Sequence, residues 1–457
     1  MASIHRNISR RNFLSRAGAA SAIAGTPFMA NLMAIGAASA QQATSHKALV
    51  CIFLDGGNDQ SNTLVPVGGS AFDLYTRARP SIALPASQLL ALAPAGYGGP
   101  QLGMHGSLGA MKPLFDLGRV AILANVGPLC APLSLAQWNG GAPTVPVPQQ
   151  LFSHSNQAGT WQTGIPDGPA TTGWLGRIGD LTANAFNPGS SVSISVSTAG
   201  NNLMEIGRST TQYQITTKGA VKVGTVYGDG TWAPVAAPVR KLMTESRTNL
   251  LEAELTKVAA RAISSETVVS SALATVTTPM QFPDTSLGQQ LAIVAKMIGA
   301  RQGLSQKRQI FFVKAGGYDM HGDLPAEHAK RMKELGDAMA AFYQATVALG
   351  VAGNVTTFTA SDFGRALQSN GRGSDHGWGG HHFIMGDAVL GNKVYGSFPT
   401  VALRGPEDAG QGRLIPTTSV DEYAATLARW FGVADGDLSI VMPNIGRFGN
   451  RNLGFLG

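Results

Sequence analysis

The chain has 457 residues, of which 44% are hydrophobic and only 13% charged, with 57 Gly and 24 Pro. That length supports a large core without disulfide or metal staples, and the composition excludes a disordered chain, a collagen and a coiled-coil rod. The formal charge of +7 is concentrated at the start: residues 1–40 hold Arg6, Arg10, Arg11 and Arg16 and no acid, which leaves 30 basic against 27 acidic residues beyond them. With no Lys/Arg run either, no nucleic-acid partner is expected.

The first segment reads Ser9-Arg10-Arg11-Asn12-Phe13-Leu14, followed by a mildly apolar Ala/Gly-rich stretch and Ala38-Ser39-Ala40 before Gln41. This resembles a twin-arginine export signal with an A-x-A cleavage site. The expectation is a signal peptide over 1–40, the twin-arginine translocation machinery as a partner, and a periplasmic or secreted mature chain. No later apolar run is long enough to span a bilayer.

Residues 49–54 (LVCIFL) form a continuous apolar run, as in a strand covered on both faces, and end in the polar turn Asp55-Gly56-Gly57-Asn58-Asp59. A short helix is predicted over 107–117 and a second buried strand over 120–126. Residues 128–173 are rich in Pro, Gly, Asn and Gln, and 191–217 alternate like a strand. A long helix is predicted over 236–270, and another over 286–302 with Ser286 and Gln289 as its capping box. Strands at 309–313 and 355–359 flank a helix over 326–349, and a last helix covers 420–431. The strand–loop–helix alternation predicts an α/β fold, a mainly parallel central sheet flanked by helices on both faces, as one domain over 41–457. The two cysteines, Cys51 and Cys130, are either a disulfide or two buried thiols.

In such sheets ligands bind beyond the carboxyl ends of strands. Asp55, Asp319 and Asp362 each follow a predicted strand, so one rim can gather all three. His321, His328, His376, His381 and His382 lie nearby in sequence, with Asp323 and Asp375. Mixed imidazole and carboxylate ligands suit zinc, manganese or iron, and metals so held clamp a phosphoryl or sulfuryl group. The competing reading is a Gly/His-rich loop whose polar side chains satisfy its own backbone.

Several segments, in order along the mature chain, resemble the bacterial family of unknown function numbered 1501: FLDGGNDQSNTLVP at 53–66, LFSHSNQAGTWQTG at 151–164, KRQIFFVKAGGYDMHGDL at 307–324 and TASDFGRALQSNGRGSDHGWGGHHFIMG at 359–386. That family is grouped with the alkaline phosphatase-like superfamily. The resemblance implies an alkaline phosphatase-like fold with one or two divalent metals, zinc or manganese. It places metal ligands at Asp55, Asp319, His321 and Asp362, with His381 or His382 as the last histidine. Asp59 belongs to the family's own turn. Phe363 stands where the superfamily has a histidine, a departure that His376 would have to make good. The nucleophile implied by order is Ser153, which reads equally as a helix N-cap. Asn58 and Arg365 are candidates to bind an anionic substrate, Arg365 by a two-pronged contact or, alternatively, as half of a salt bridge. The function that follows is an exported metal-dependent hydrolase of small phosphate or sulfate esters. The alternative is a non-catalytic binding or envelope structural protein on a degenerate phosphatase-like fold.

Overall fold

In the computed structural model, residues 45–457 are described, apart from 141–144, 223, 229 and 278–279. The Arg10-Arg11 motif and the expected cleavage site before Gln41 lie outside the described residues.

The central sheet has ten strands. In chain order they are β1 (Lys47–Leu54), β2 (Val120–Gly127), β3 (Ser195–Ser197), β4 (Tyr213–Thr216), β5 (Gly219–Ala220), β6 (Arg308–Ala315), β7 (Val355–Ser361), β8 (Gly380–Met385), β9 (Lys393–Tyr395) and β10 (Thr418–Ser419). They lie side by side as β9-β2-β8-β7-β1-β6-β3-β4-β5, with β10 also on β2. β8 runs antiparallel to β7 and β2, and β5 to β4; the other pairings are parallel.

The apolar run of β1 is explained by burial on both faces. Ala48, Val50, Ile52 and Leu54 enter one core, and Leu49, Cys51 and Phe53 the other. Each large side chain so buried contributes about 1.5–3 kcal/mol relative to exposure. The main helices are α1 (His154–Thr163), α2 (Trp174–Phe186), α3 (Ala233–Thr244), α4 (Leu250–Ala274), α5 (Ser286–Gly299), α6 (Leu324–Ala348) and α7 (Val420–Phe431), of which α3 buries no residue. α5 and α6 pack on the first face, α2 and α7 on the second. The mainly parallel sheet with helices on both faces is therefore as expected, and residues 46–457 form one unit. Among the described residues no helix is long and apolar enough to cross a membrane.

Three local expectations are corrected. The helix foreseen over 236–270 is two: α3 stops at Thr244, Glu245 is extended, and Asn249 caps α4 by accepting from the Leu251 and Glu252 amides. Ser246 and Asn249 in the break favour caps and turns over helix continuation, and Thr248 is a poor helix former. The alternation at 191–217 yields only the short β3 and β4. α5 is capped by Thr285, which accepts from the Gly288 amide, not by Ser286. Cys51 and Cys130 are both free and buried.

Candidate metal centre

β7, β1 and β6 are adjacent, and their registers set Leu54 level with Ser361 on one side and Ala315 on the other. The segments that follow therefore leave the sheet along one rim, carrying Asp55, Asp319 and Asp362. The Asp55-Gly56-Gly57 turn ties them together. Asp55 O accepts from the Tyr318 amide at 3.2 Å, and the Gly56 amide donates to Asp362 Oδ1 at 3.3 Å. Gly56 and Gly57 have φ of +116° and +86°, and a Cβ would strike the Asp319 amide at the first and the Phe363 ring at the second. Only glycine allows this close approach.

Four cationic or imidazole groups converge on one oxygen, Asp319 Oδ1. Arg365 Nη1 lies at 2.8 Å, His321 Nε2 at 2.9 Å, His154 Nε2 at 3.3 Å and His376 Nε2 at 3.5 Å. The second nitrogen of each ring faces an oxygen. His154 Nδ1 is 2.8 Å from Asp362 Oδ2, His376 Nδ1 is 2.7 Å from Phe152 O, and His321 Nδ1 is 3.3 Å from Asp375 Oδ1. The Phe152 carbonyl only accepts, so His376 carries its proton on Nδ1 and turns a bare Nε2 towards Asp319. If His154 likewise donates to Asp362, its Nε2 lone pair faces a carboxylate oxygen, a repulsion that either a proton on Nε2 or a bound cation removes. That buried Nε2 indeed has no hydrogen-bond partner. His321 Nε2 and His376 Nε2 are only 3.1 Å apart. Histidines held from behind by oxygens, with their front nitrogens gathered around a carboxylate, are the outer-shell pattern of a metal site. The donors of His154, Asp319 and His376 lie within 4.8 Å of one another. This nitrogen-rich set with one carboxylate fits zinc, and manganese less well because manganese favours oxygen ligands.

The electrostatics suit that role. Burial pushes the Asp319 carboxyl up, but the Arg365 hydrogen bond and the nearby positive charges outweigh it, so its pKa lies below the usual value. Burial raises Asp362 despite its bonds to His154 and the Gly56 amide. Burial lowers His376, against the pull of Phe152 O, which favours the neutral imidazole a metal requires.

Of the sequence-derived candidates, Asp319, His321, Asp362, His376 and Arg365 are brought together. Arg365 is wholly buried and committed to Asp319, Gly56 O and Ser374 O, so it braces the centre from below instead of meeting substrate. Asp55 sits on the rim but pairs with Lys314 at 3.2 Å. Asn58 points under the rim, where its amide donates to Thr63 Oγ1 and its oxygen meets His328 Nε2 at 3.1 Å. Asp59 lies deeper still, in a fully buried ion pair with Arg79 at 2.6 Å. His381 is not a ligand. It is buried in β8, accepts from the Asn125 amide and stacks on Phe398. His382 is buried against Trp161 and Tyr423. Ser153 precedes α1 with extended backbone but makes no cap bond, its Oγ accepting from Asn156 Nδ2 at 3.1 Å.

His154 is the residue that sequence reasoning missed. It opens α1, more than 200 residues from Asp362, and the one local signal for it is its place beside Ser153 in the LFSHSN segment. The Phe363 departure is answered here. Phe363 stacks on His376 at 4.7 Å and lies 4.8 Å from His154, so it packs two imidazoles instead of supplying one.

No curated protein sequence matches the chain. Among solved structures it is similar to Ps i-CgsB, at 8% identity and a TM-score of 0.36 over 89% of this chain and 78% of that one. It is also similar to the PsFucS1 sulfatase from Pseudoalteromonas sp., at 10% identity and a TM-score of 0.33 over 90% and 73%. A third is a mutant of the alkaline phosphatase PafA, at 13% identity and a TM-score of 0.28 over 70% and 64%. The model of one protein family, described as "Protein of unknown function (DUF1501)", matches residues 132–442, and the chain belongs to that family.

Proposed function

We propose that the protein is an exported, metal-dependent hydrolase of phosphate or sulfate esters, with His154, Asp319, His321 and His376 as the metal ligands. The observation that carries this reading is the convergence of three imidazole Nε2 atoms on Asp319 Oδ1, each ring held from behind by an oxygen. The alkaline phosphatase-like resemblance of the rim motifs supplies the ester class. A bound zinc or manganese ion would neutralise charge on the ester oxygens and ease attack at phosphorus or sulfur.

The chain's own residues then divide the remaining tasks. Arg365 fixes the Asp319 carboxylate in its ionised form. Asp362, Asp375 and Phe152 O fix the three ring orientations, so little reorganisation is needed on binding. Lys314, partly exposed beside Asp55, places a positive charge on the rim where an anionic ester would arrive. Ser153 is the proposed nucleophile. It lies at the N-terminus of α1, where the helix dipole favours a developing oxyanion, and is the direct neighbour of His154. Its Oγ displaces the ester's alcohol, and water then releases phosphate or sulfate from the serine.

The test is mature protein loaded with zinc or manganese and offered aryl phosphates, phosphodiesters and aryl sulfates. Turnover of one class, abolished by Asp319→Asn and lowered by roughly 1,000-fold or more in Ser153→Ala, is the expected result. Turnover that survives Ser153→Ala assigns the attack to water. No turnover in metal-loaded protein that holds its metal favours the non-catalytic reading.

A further inference from the structure

The α3–α4 hairpin departs from the rest of the fold in what it exposes. α3 packs on α4, and the second half of α4 buries Ser265, Glu266, Val269, Ala272 and Leu273. The first half does the opposite: Leu250 is 83% exposed, Leu251 81%, Leu255 68% and Val258 50%. These are not scattered. Leu251, Leu255, Val258 and Ala262 recur at spacings of four, three and four, which is the seam of a heptad pattern. The seam is flanked by Glu254 and Arg261 at equivalent heptad positions, one turn pair apart, on the same edge.

We propose that this seam pairs with the same seam of a second copy of the chain, antiparallel about a two-fold axis beside Thr256. Charge selects both the partner and the direction. In an antiparallel pair, equivalent edge positions face each other. The register that sets Leu251 against Ala262 and Leu255 against Val258 of the second copy also sets Glu254 against its Arg261, twice by symmetry. A parallel pair would set Glu254 against Ala259, leaving it only its loose 3.6 Å contact with Lys257 of the same helix, and Arg261 against Glu266, whose carboxyl is buried and takes a hydrogen bond from Ser270 instead of facing outwards. Both the leucines and the ion pairs are thus completed by this chain itself, away from the metal centre.

Sedimentation velocity and light scattering on the full mature chain test this. The expected result is a dimer that Leu255→Asp converts to a monomer with unchanged circular dichroism, its melting temperature falling no further than that of wild type diluted until it dissociates. Arg261→Glu should weaken dimerisation roughly tenfold by placing like charges together twice, and Glu254→Arg added to it should restore the affinity. A wild type that stays monomeric at about 100 μM overturns the proposal. So does a dimer indifferent to Leu255→Asp, a charge swap that fails to restore, or a monomer whose leucines instead bind phosphatidylglycerol vesicles.

Discussion

His376 and the pair His381–His382 lie in one Gly/His-rich segment, yet they do opposite things. His376 ends a hairpin strand, Ser374–His376, that pairs with Arg365–Ser369 above the sheet, and the Arg365–His376 register brings its ring to Asp319. Five residues later the chain has entered β8, where His381 and His382 point to opposite faces and are buried among aromatic rings. An imidazole becomes a candidate ligand or a packing group according to whether the backbone around it has joined the central sheet. Burial lowers both His381 and His382 to about 3, so at neutral pH they are uncharged core side chains.

The largest effect separating the two regions should come from metal binding. Asp319→Asn and His376→Ala should each weaken zinc or manganese affinity by more than roughly 100-fold, measured by titration of chelator-treated protein, because each removes a proposed ligand. His382→Ala should leave that affinity unchanged and instead lower stability by about 2–4 kcal/mol in urea unfolding, since it empties a ring-sized space between Trp161 and Tyr423. Equal metal loss in both variants would erase the distinction.

A smaller effect is expected one layer out. Asp362→Asn and Asp375→Asn change the carboxylates behind His154 and His321 while leaving the four proposed ligands in place. Each should cost about 10–100-fold in metal affinity, with Asp362 the larger because its carboxylate is buried and its contact shorter. If neither variant changes affinity, the rings are oriented by packing alone.

The last effect is a pH dependence. The folded pKa values of His381 and His382 lie below the ordinary histidine value, so the unfolded chain binds more protons between about pH 6.5 and 3. The stabilisation from keeping each ring neutral is complete above pH 6.5 and is lost as pH falls through that window, with a slope of about 1.4 kcal/mol per pH unit for each ring. Replacing His382 with Gln should remove one such slope from the urea stability measured between pH 6 and 4. An unchanged slope would mean that His382 is already protonated or solvated in the folded protein.

Much of the sheet was legible from residue pattern alone. The unbroken apolar run of β1 announced a strand buried on both faces, 120–126 and 309–313 were legible as further strands, and Asp55, Asp319 and Asp362 marked where three strands end, because periodicity and turn chemistry act within a few residues. The candidate centre was only half legible. That Asp319 gathers His321 and His376 depends on β7, β1 and β6 being neighbours and on a hairpin folding back from Arg365. That His154 joins them depends on α1 arriving from a different part of the chain. That His381 does not join depends on β8 pairing between β7 and β2 inside the sheet, where packed layers cover both faces of that strand. No local pattern encodes these outcomes, since strand order and the burial that follows from it are set by packing among segments far apart in sequence.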